Sequence, residues 1–170
     1  MTNAGHEEFV RIIKRVSRMV KEVNNTLTLC NLPFSVRKVG KKLMWEVFRQ
    51  GGRPSEDEKV FTFRLLMPGG SWALRCDSCQ EYISLESHIL FHILLRKCVE
   101  EGVTPVKGEG GWWSVQFEGV PFEMKNDGSR ILISFRGEGI RVPLAGVVTI
   151  WKQSFIQGVA TLLLEGGEYD

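Results

Sequence analysis

Cys76 and Cys79 are separated by two residues, and after an eight-residue spacer His88 and His92 follow at i and i+4. Two thiolates on a turn and two imidazoles on one helical face make a donor set for tetrahedral zinc. The spacer is shorter than that of the usual zinc finger, and Ile89, Leu90, Phe91 and Ile93 around the histidines mark a packed core helix. The expectation is therefore free thiols and no metal. A Cys76–Cys79 redox or disulfide pair and a zinc-stabilised module on Cys76, Cys79, His88 and His92 are the alternatives. The Gly-rich stretches at 68–70 and 107–111 lack phosphate-loop spacing and have no helix directly behind them. Glu56, Asp57 and Glu58 form a solvated loop run, and no serine sits in a nucleophile elbow. With no catalytic signature, the chain is expected to be a non-enzyme without a cofactor.

A second constellation is aromatic and cationic. Period-two reading of residues 112–118 puts Trp113, Val115 and Phe117 on a core row and leaves Trp112, Ser114 and Gln116 opposite. Over 130–136, Ile131, Ile133 and Phe135 face the core, while Arg130, Leu132, Ser134 and Arg136 face away. Arg141 points likewise in the next strand, and Lys125 joins that side if the hairpin pairs regularly. In the first half, Arg64 and Arg75 lie on the faces opposite Phe61, Phe63, Trp72 and Leu74, and Arg49 and Arg53 fall at a strand end and in the following loop.

This mixture has a physical use. An exposed indole stacks on any nucleobase, worth on the order of 1–3 kcal/mol per base, and arginine forks onto phosphate or stacks on bases itself. Arg49, Arg53, Arg64, Arg75, Trp112, Lys125, Arg130, Arg136 and Arg141 are thus the expected nucleic-acid-binding residues. The competing reading packs Trp112 under a helix and leaves the arginines as solubilising charges.

These residues must be positioned by elements that the patterning predicts. Residues 7–23 read as an amphipathic helix with Phe9, Ile12, Ile13, Val16, Met19, Val20 and Val23 on one face and Arg11, Lys14, Arg15, Arg18 and Lys21 on the other. Asn24 and Asn25 are expected to end it, with a short strand at 26–30 and a loop or irregular strand at 34–42. Strands are predicted from residue 43, over 59–66 and over 71–76, and then a helix capped by Ser84 and stopped by Gly102. The second half repeats the order, with strands at 112–118, 121–125, 130–136 and 140–142, a turn at 126–129, and a final apolar helix over 144–164. Trp45-Glu46-Val47 answers Trp113-Ser114-Val115, and Phe63-Arg64-Leu65 answers Phe122-Glu123-Met124. The expected fold is α+β: a leading helix and two β-β-β-(β)-α units in a single domain, 1–170, with pseudo-repeats at 26–102 and 103–165.

Composition sets outer limits. The 43% apolar content and net charge of +2 exclude an intrinsically disordered chain, and the apolar runs are too short for a membrane span. Four scattered cysteines exclude a secreted disulfide scaffold, so a cytoplasmic location is expected. Net charge hides an asymmetry, since residues 1–53 carry 11 Lys/Arg against 4 Asp/Glu. Such a basic third suits a polyanionic partner.

In element order the chain resembles the Whirly and PUR families of single-stranded nucleic-acid binders, and its basic-rimmed sheets with aromatic floors resemble the archaeal ThermoDBP-related single-stranded DNA-binding proteins. The resemblance implies a sheet surface for unpaired strands carried by Trp112, Arg130, Arg136 and Arg141. The leading helix departs from the Whirly and PUR pattern. The expected function is largely sequence-independent binding of single-stranded nucleic acid, DNA ahead of RNA, by a homodimer or higher oligomer. A protein–protein assembly subunit using the apolar C-terminal helix is the alternative.

Overall fold

The computed structural model describes residues 3–67, 71–128 and 130–165. The turn expected at 68–70 lies outside them. They contain two antiparallel sheets, of four and five strands, with a leading helix, which is the α+β class. Two compact units meet at Ile83/Ser84, so the helix over 85–100, which closes the first sequence repeat, belongs to the second unit. Among the described residues no helix is long and apolar enough to cross a membrane.

In the first unit, α1 (Asn3–Leu29) leads into β1 (Phe34–Lys38), β2 (Met44–Arg49), β3 (Glu58–Leu66) and β4 (Ala73–Cys76), which pair in sequence order. Val16, Val20, Val23 and Leu27 bury one stripe of α1, and Phe9 meets Trp72 at 5.7 Å between ring centroids. The sheet's buried row includes Phe34, Val36, Trp45, Val47, Phe61, Phe63, Leu65 and Leu74, with Trp45 stacked on Phe63 at 5.5 Å.

Two expectations fail here. Residues 26–30 form no strand, and α1 runs through Asn24 and Asn25 to Leu29. Leu27 prolongs the buried stripe, and the Asn24 side chain is occupied elsewhere, donating from Nδ2 to the Val36 carbonyl (2.9 Å) and accepting the Val36 amide (2.8 Å). The helix stops at Asn31, whose φ is 56°. The Leu32 amide reaches the Leu27 carbonyl (2.9 Å) and the Asn31 amide that of Thr28 (3.1 Å), the paired bonds of a Schellman stop. Within 34–42, residues 34–38 are a regular edge strand.

The second unit starts with α2 (Leu85–Glu100), which ends in the same kind of stop at Gly102 (φ 84°), with the Val103 amide on the Cys98 carbonyl at 2.9 Å. Then come β5 (Val106–Lys107), β6 (Trp113–Phe117), β7 (Val120–Asn126), β8 (Ile131–Phe135) and β9 (Glu138–Val142), again paired in sequence order. Two-residue turns with both central φ positive, Glu118-Gly119 and Arg136-Gly137, close two of the hairpins. The expected final helix is two helices, α3 (Leu144–Lys152) and α4 (Phe155–Leu164). Ser154 caps α4 by accepting the Gln157 amide, and Glu101 Oε2 accepts the Phe155 amide at 2.9 Å. Phe155 is fully buried, stacked on Phe117 at 4.8 Å and edge-on to Phe122 at 5.4 Å. The break falls where Phe155 enters that aromatic cluster.

Candidate nucleic-acid interface

Period-two alternation places the side chains of the second unit's sheet. Val115, Phe117, Phe122, Met124, Ile131, Ile133, Ile140 and Val142 are buried on the face that meets Phe155. On the opposite face, Lys125 pairs with Leu132 and Leu132 with Arg141. Trp113 pairs with Met124, so Trp112, one residue earlier, continues that row beyond Lys125. Trp112, Lys125, Leu132 and Arg141 thus form one row across β6 to β9, all half-buried. The next row is Ser114, Glu123, Ser134 and Gly139.

Trp112 is fixed through its backbone and through its ring. The turn Glu109–Gly111 folds back so that the Gly108 amide donates to the Trp112 carbonyl at 2.7 Å. Lys125 Nζ lies 5.6 Å from the indole centroid, within cation–π range. Gly111 (φ 82°) lies against Lys125, where an added Cβ would sit 3.7 Å from Lys125 Cε.

Arg130 and Arg136 flank β8. Asp127 Oδ2 accepts from Arg130 Nε at 2.9 Å and Oδ1 accepts the Arg130 amide at 3.1 Å. Arg130 also lines a cleft of about 450 Å³ with Ser84, Ser87, Leu90, Ile131 and Leu144. Arg136 occupies the first central position of its turn, with the guanidinium 5.0 Å from the Phe135 ring centroid.

The first unit's arginines are placed differently. Arg64 and Arg75 are register partners on β3 and β4. Arg64 donates from Nε (2.7 Å) and Nη2 (3.1 Å) to Asp77, which also accepts from Thr62 Oγ1 at 2.8 Å. The Arg64 bond, with the Thr62 hydroxyl, holds the Asp77 carboxyl below its ordinary range, against the opposing effect of burial. Arg75 donates to Gln80 Oε1. Arg49 donates from Nη1 to the Gln50 carbonyl at 2.6 Å and stands 5.8 Å from the Phe34 ring centroid. Arg53 lies in the loop, 4.0 Å from Glu56. Carboxylates stand beside Arg53, Arg64 and Arg130, and Trp112, Lys125 and Arg141 lie in one row.

Of the zinc-type residues, Cys76 and Cys79 belong to the first unit and His88 and His92 to the second. Cys76 ends β4 and Cys79 closes the turn after it, and hydrogen bonding with Cys76 together with burial pushes the Cys79 thiol up. His88 and His92 are one turn apart on α2 with ring centroids 4.6 Å apart. Burial pushes the Cys98 thiol up to about 12. None of the four cysteines is joined in a disulfide.

The residue that strand-face reading passed over is Glu123, directly beside the row. Its alternation with Met124 was the available signal. Compared with family models, curated proteins and solved structures, the chain matches none.

Proposed function

We propose that the protein binds single-stranded nucleic acid, without regard to sequence and without catalysing a reaction, on the outward face of the second unit's sheet. The observation that carries this reading is the single row of Trp112, Lys125, Leu132 and Arg141, an indole and two cations around an apolar centre. A base stacks on the indole, Leu132 gives the sugar an apolar contact, and the ammonium and guanidinium take successive phosphates. Arg130 and Arg136 at the two ends of β8 extend the path along the strand, and Glu123 repels phosphate from the neighbouring row. The architectural likeness to Whirly, PUR and ThermoDBP-related proteins belongs to this reading. So does a cytoplasmic location, suited to a chain whose few scattered cysteines make no disulfide scaffold.

The test is a titration of intrinsic tryptophan fluorescence with a thirty-nucleotide oligo-dT and a duplex of equal length at two salt concentrations. Quenching by the single strand, weakening as salt rises, is the expected result. Trp112→Ala should weaken binding by roughly 5- to 150-fold, the equivalent of one lost stack of about 1–3 kcal/mol. Binding indifferent to salt, or unchanged in Trp112→Ala, would overturn the reading.

The assembly reading is favoured by one observation, the 38% and 88% exposure of Ile156 and Leu164 on α4. A homodimer through that helix would lengthen the binding track. If no oligonucleotide shifts the protein's mobility while α4 variants change its oligomeric state, assembly is the function.

A further inference from the structure

The outward face of α1 carries a second concentration of charge. Arg11, Lys14, Arg15, Arg18 and Lys21 are all exposed. At 3.6 residues per turn they fall within an arc of about 120° and span about 15 Å along the axis. From Phe9 to Lys21 the sequence contains no acid; Glu7, Glu8 and Glu22 flank the stretch. Among the described residues none of the five cations has a hydrogen bond or ion pair. By contrast, Arg37, Arg53, Arg64, Arg96 and Arg130 each stand beside a carboxylate.

A solvated helix face ordinarily mixes signs, because opposite charges three or four residues apart support a helix and like charges weaken it. Here 11 and 14, 11 and 15, 14 and 18, 15 and 18, and 18 and 21 are all like-charged neighbours at those spacings. The helix carries this repulsion while its other face, Val16, Val20, Val23 and Leu27, is committed to the core. An apolar face so committed leaves no amphipathic surface to insert into a lipid bilayer. The unpaired stripe is complementary to a line of phosphates, and its five charges on a rigid rod include no aromatic group to stack on a base.

We infer that the α1 face is a second nucleic-acid contact, blind to the bases, in which these five cations lie along the phosphate backbone. The place is new; the occupant, a nucleic-acid strand, rests on the reading of the preceding section. Such a contact releases counterions, and each phosphate neutralised on a single strand adds about 0.7 to the slope of log affinity against log salt.

The deciding experiment measures binding of fluorescein-labelled oligo-dT of thirty nucleotides by anisotropy, across a salt series. The proteins compared are wild type, R11Q/K14Q/R15Q/R18Q/K21Q and Trp112→Ala. The charge variant should lose up to about 3.5 in slope and at least about tenfold in affinity at low salt. The charge-conserving K14R/K21R should match wild type. If the fivefold variant does not fold by circular dichroism, R11Q/R15Q and R18Q/K21Q carry the test, each expected to lose about 1.4. An unchanged slope in the charge variants, with weakened binding in Trp112→Ala, overturns the α1 contact and leaves the sheet reading standing. Loss of slope with Trp112→Ala at wild-type affinity keeps α1 and overturns the sheet. No binding by wild type overturns both. Charge-dependent binding to phosphatidylserine vesicles with oligo-dT affinity unaffected by the charge variants also overturns the nucleic-acid contact.

Discussion

Asn24 does with one side chain what a neighbouring strand does with its backbone. β1 is an edge strand, and the Val36 amide and carbonyl that point away from β2 would otherwise face outward unpaired. The Asn24 carboxamide takes both, which closes the edge to a foreign strand and ties α1 to the sheet. Asn24→Ala should cost about 1–3 kcal/mol, two hydrogen bonds at once, read as a lower urea midpoint with an unchanged m value. Asn24→Asp keeps the acceptor alone and should fall between. An Asn24→Ala midpoint equal to wild type would mean that the edge is satisfied by water. Asp77 makes a separate prediction in pH. Its carboxyl is held below the unfolded value, about 3.9, by the Arg64 bond first. Its contribution is therefore present above that value and is lost as pH falls through the lower folded one. Melting temperatures measured between about pH 5 and 2 should drop less steeply in Asp77→Asn than in wild type, and parallel curves would count against the assignment.

At the scale of elements, α3 and α4 are held by an approach that only glycine permits. A Cβ on Gly158 would lie 2.5 Å from Ile150 Cα and 2.7 Å from Ile150 Cγ1, so the helices would have to separate. Gly158→Ala should cost about 1–3 kcal/mol by overpacking, despite the better helix propensity of alanine. Thermal unfolding followed by far-ultraviolet dichroism would show it, and a stabilised Gly158→Ala would mean that the two helices slide apart freely. The same region shows what the sequence disclosed and what it hid. Strands such as Met44–Arg49 and Trp113–Phe117 were legible because one face is buried and alternation is all that burial needs. The break between α3 and α4 was masked because apolar residues continue on both sides of it. Its signature was present in Ser154-x-x-Gln157, a cap with its partner three residues on. α1 was cut short because Asn24-Asn25 reads as a stop when side chains are scored locally, and Asn24 answers instead to a strand twelve residues away. That Trp112, Lys125 and Arg141 share a face followed from period two, but their alignment in one row came only with the strand register. The partnership of Arg64 with Asp77 did not, because Asp77 lies in a turn whose path only the folded chain defines.

On the scale of the whole molecule, charge and stacking fall in different units. Residues 1–83 carry 14 Lys/Arg against 9 Asp/Glu, net +5, and residues 84–170 carry 8 against 11, net −3. The indole row thus sits on the acidic unit, where attraction for phosphate is local to Lys125 and Arg141 and opposed by Glu123. Stacking carries no charge, so Trp112→Ala should lower affinity at every salt concentration without altering the slope. Lys125→Gln with Arg141→Gln removes the two cations proposed to take phosphates and should lower the slope by about 1.4. Glu123→Gln removes a repulsion that counterions screen, so its gain in affinity should be largest at low salt and fade as the Debye length shrinks from about 30 Å at 0.01 M to about 3 Å at 1 M. Anisotropy with labelled oligo-dT over a salt series measures all three. A slope change in Trp112→Ala with none in the Lys125/Arg141 variant would reverse the roles and remove the row as the place where a strand is held.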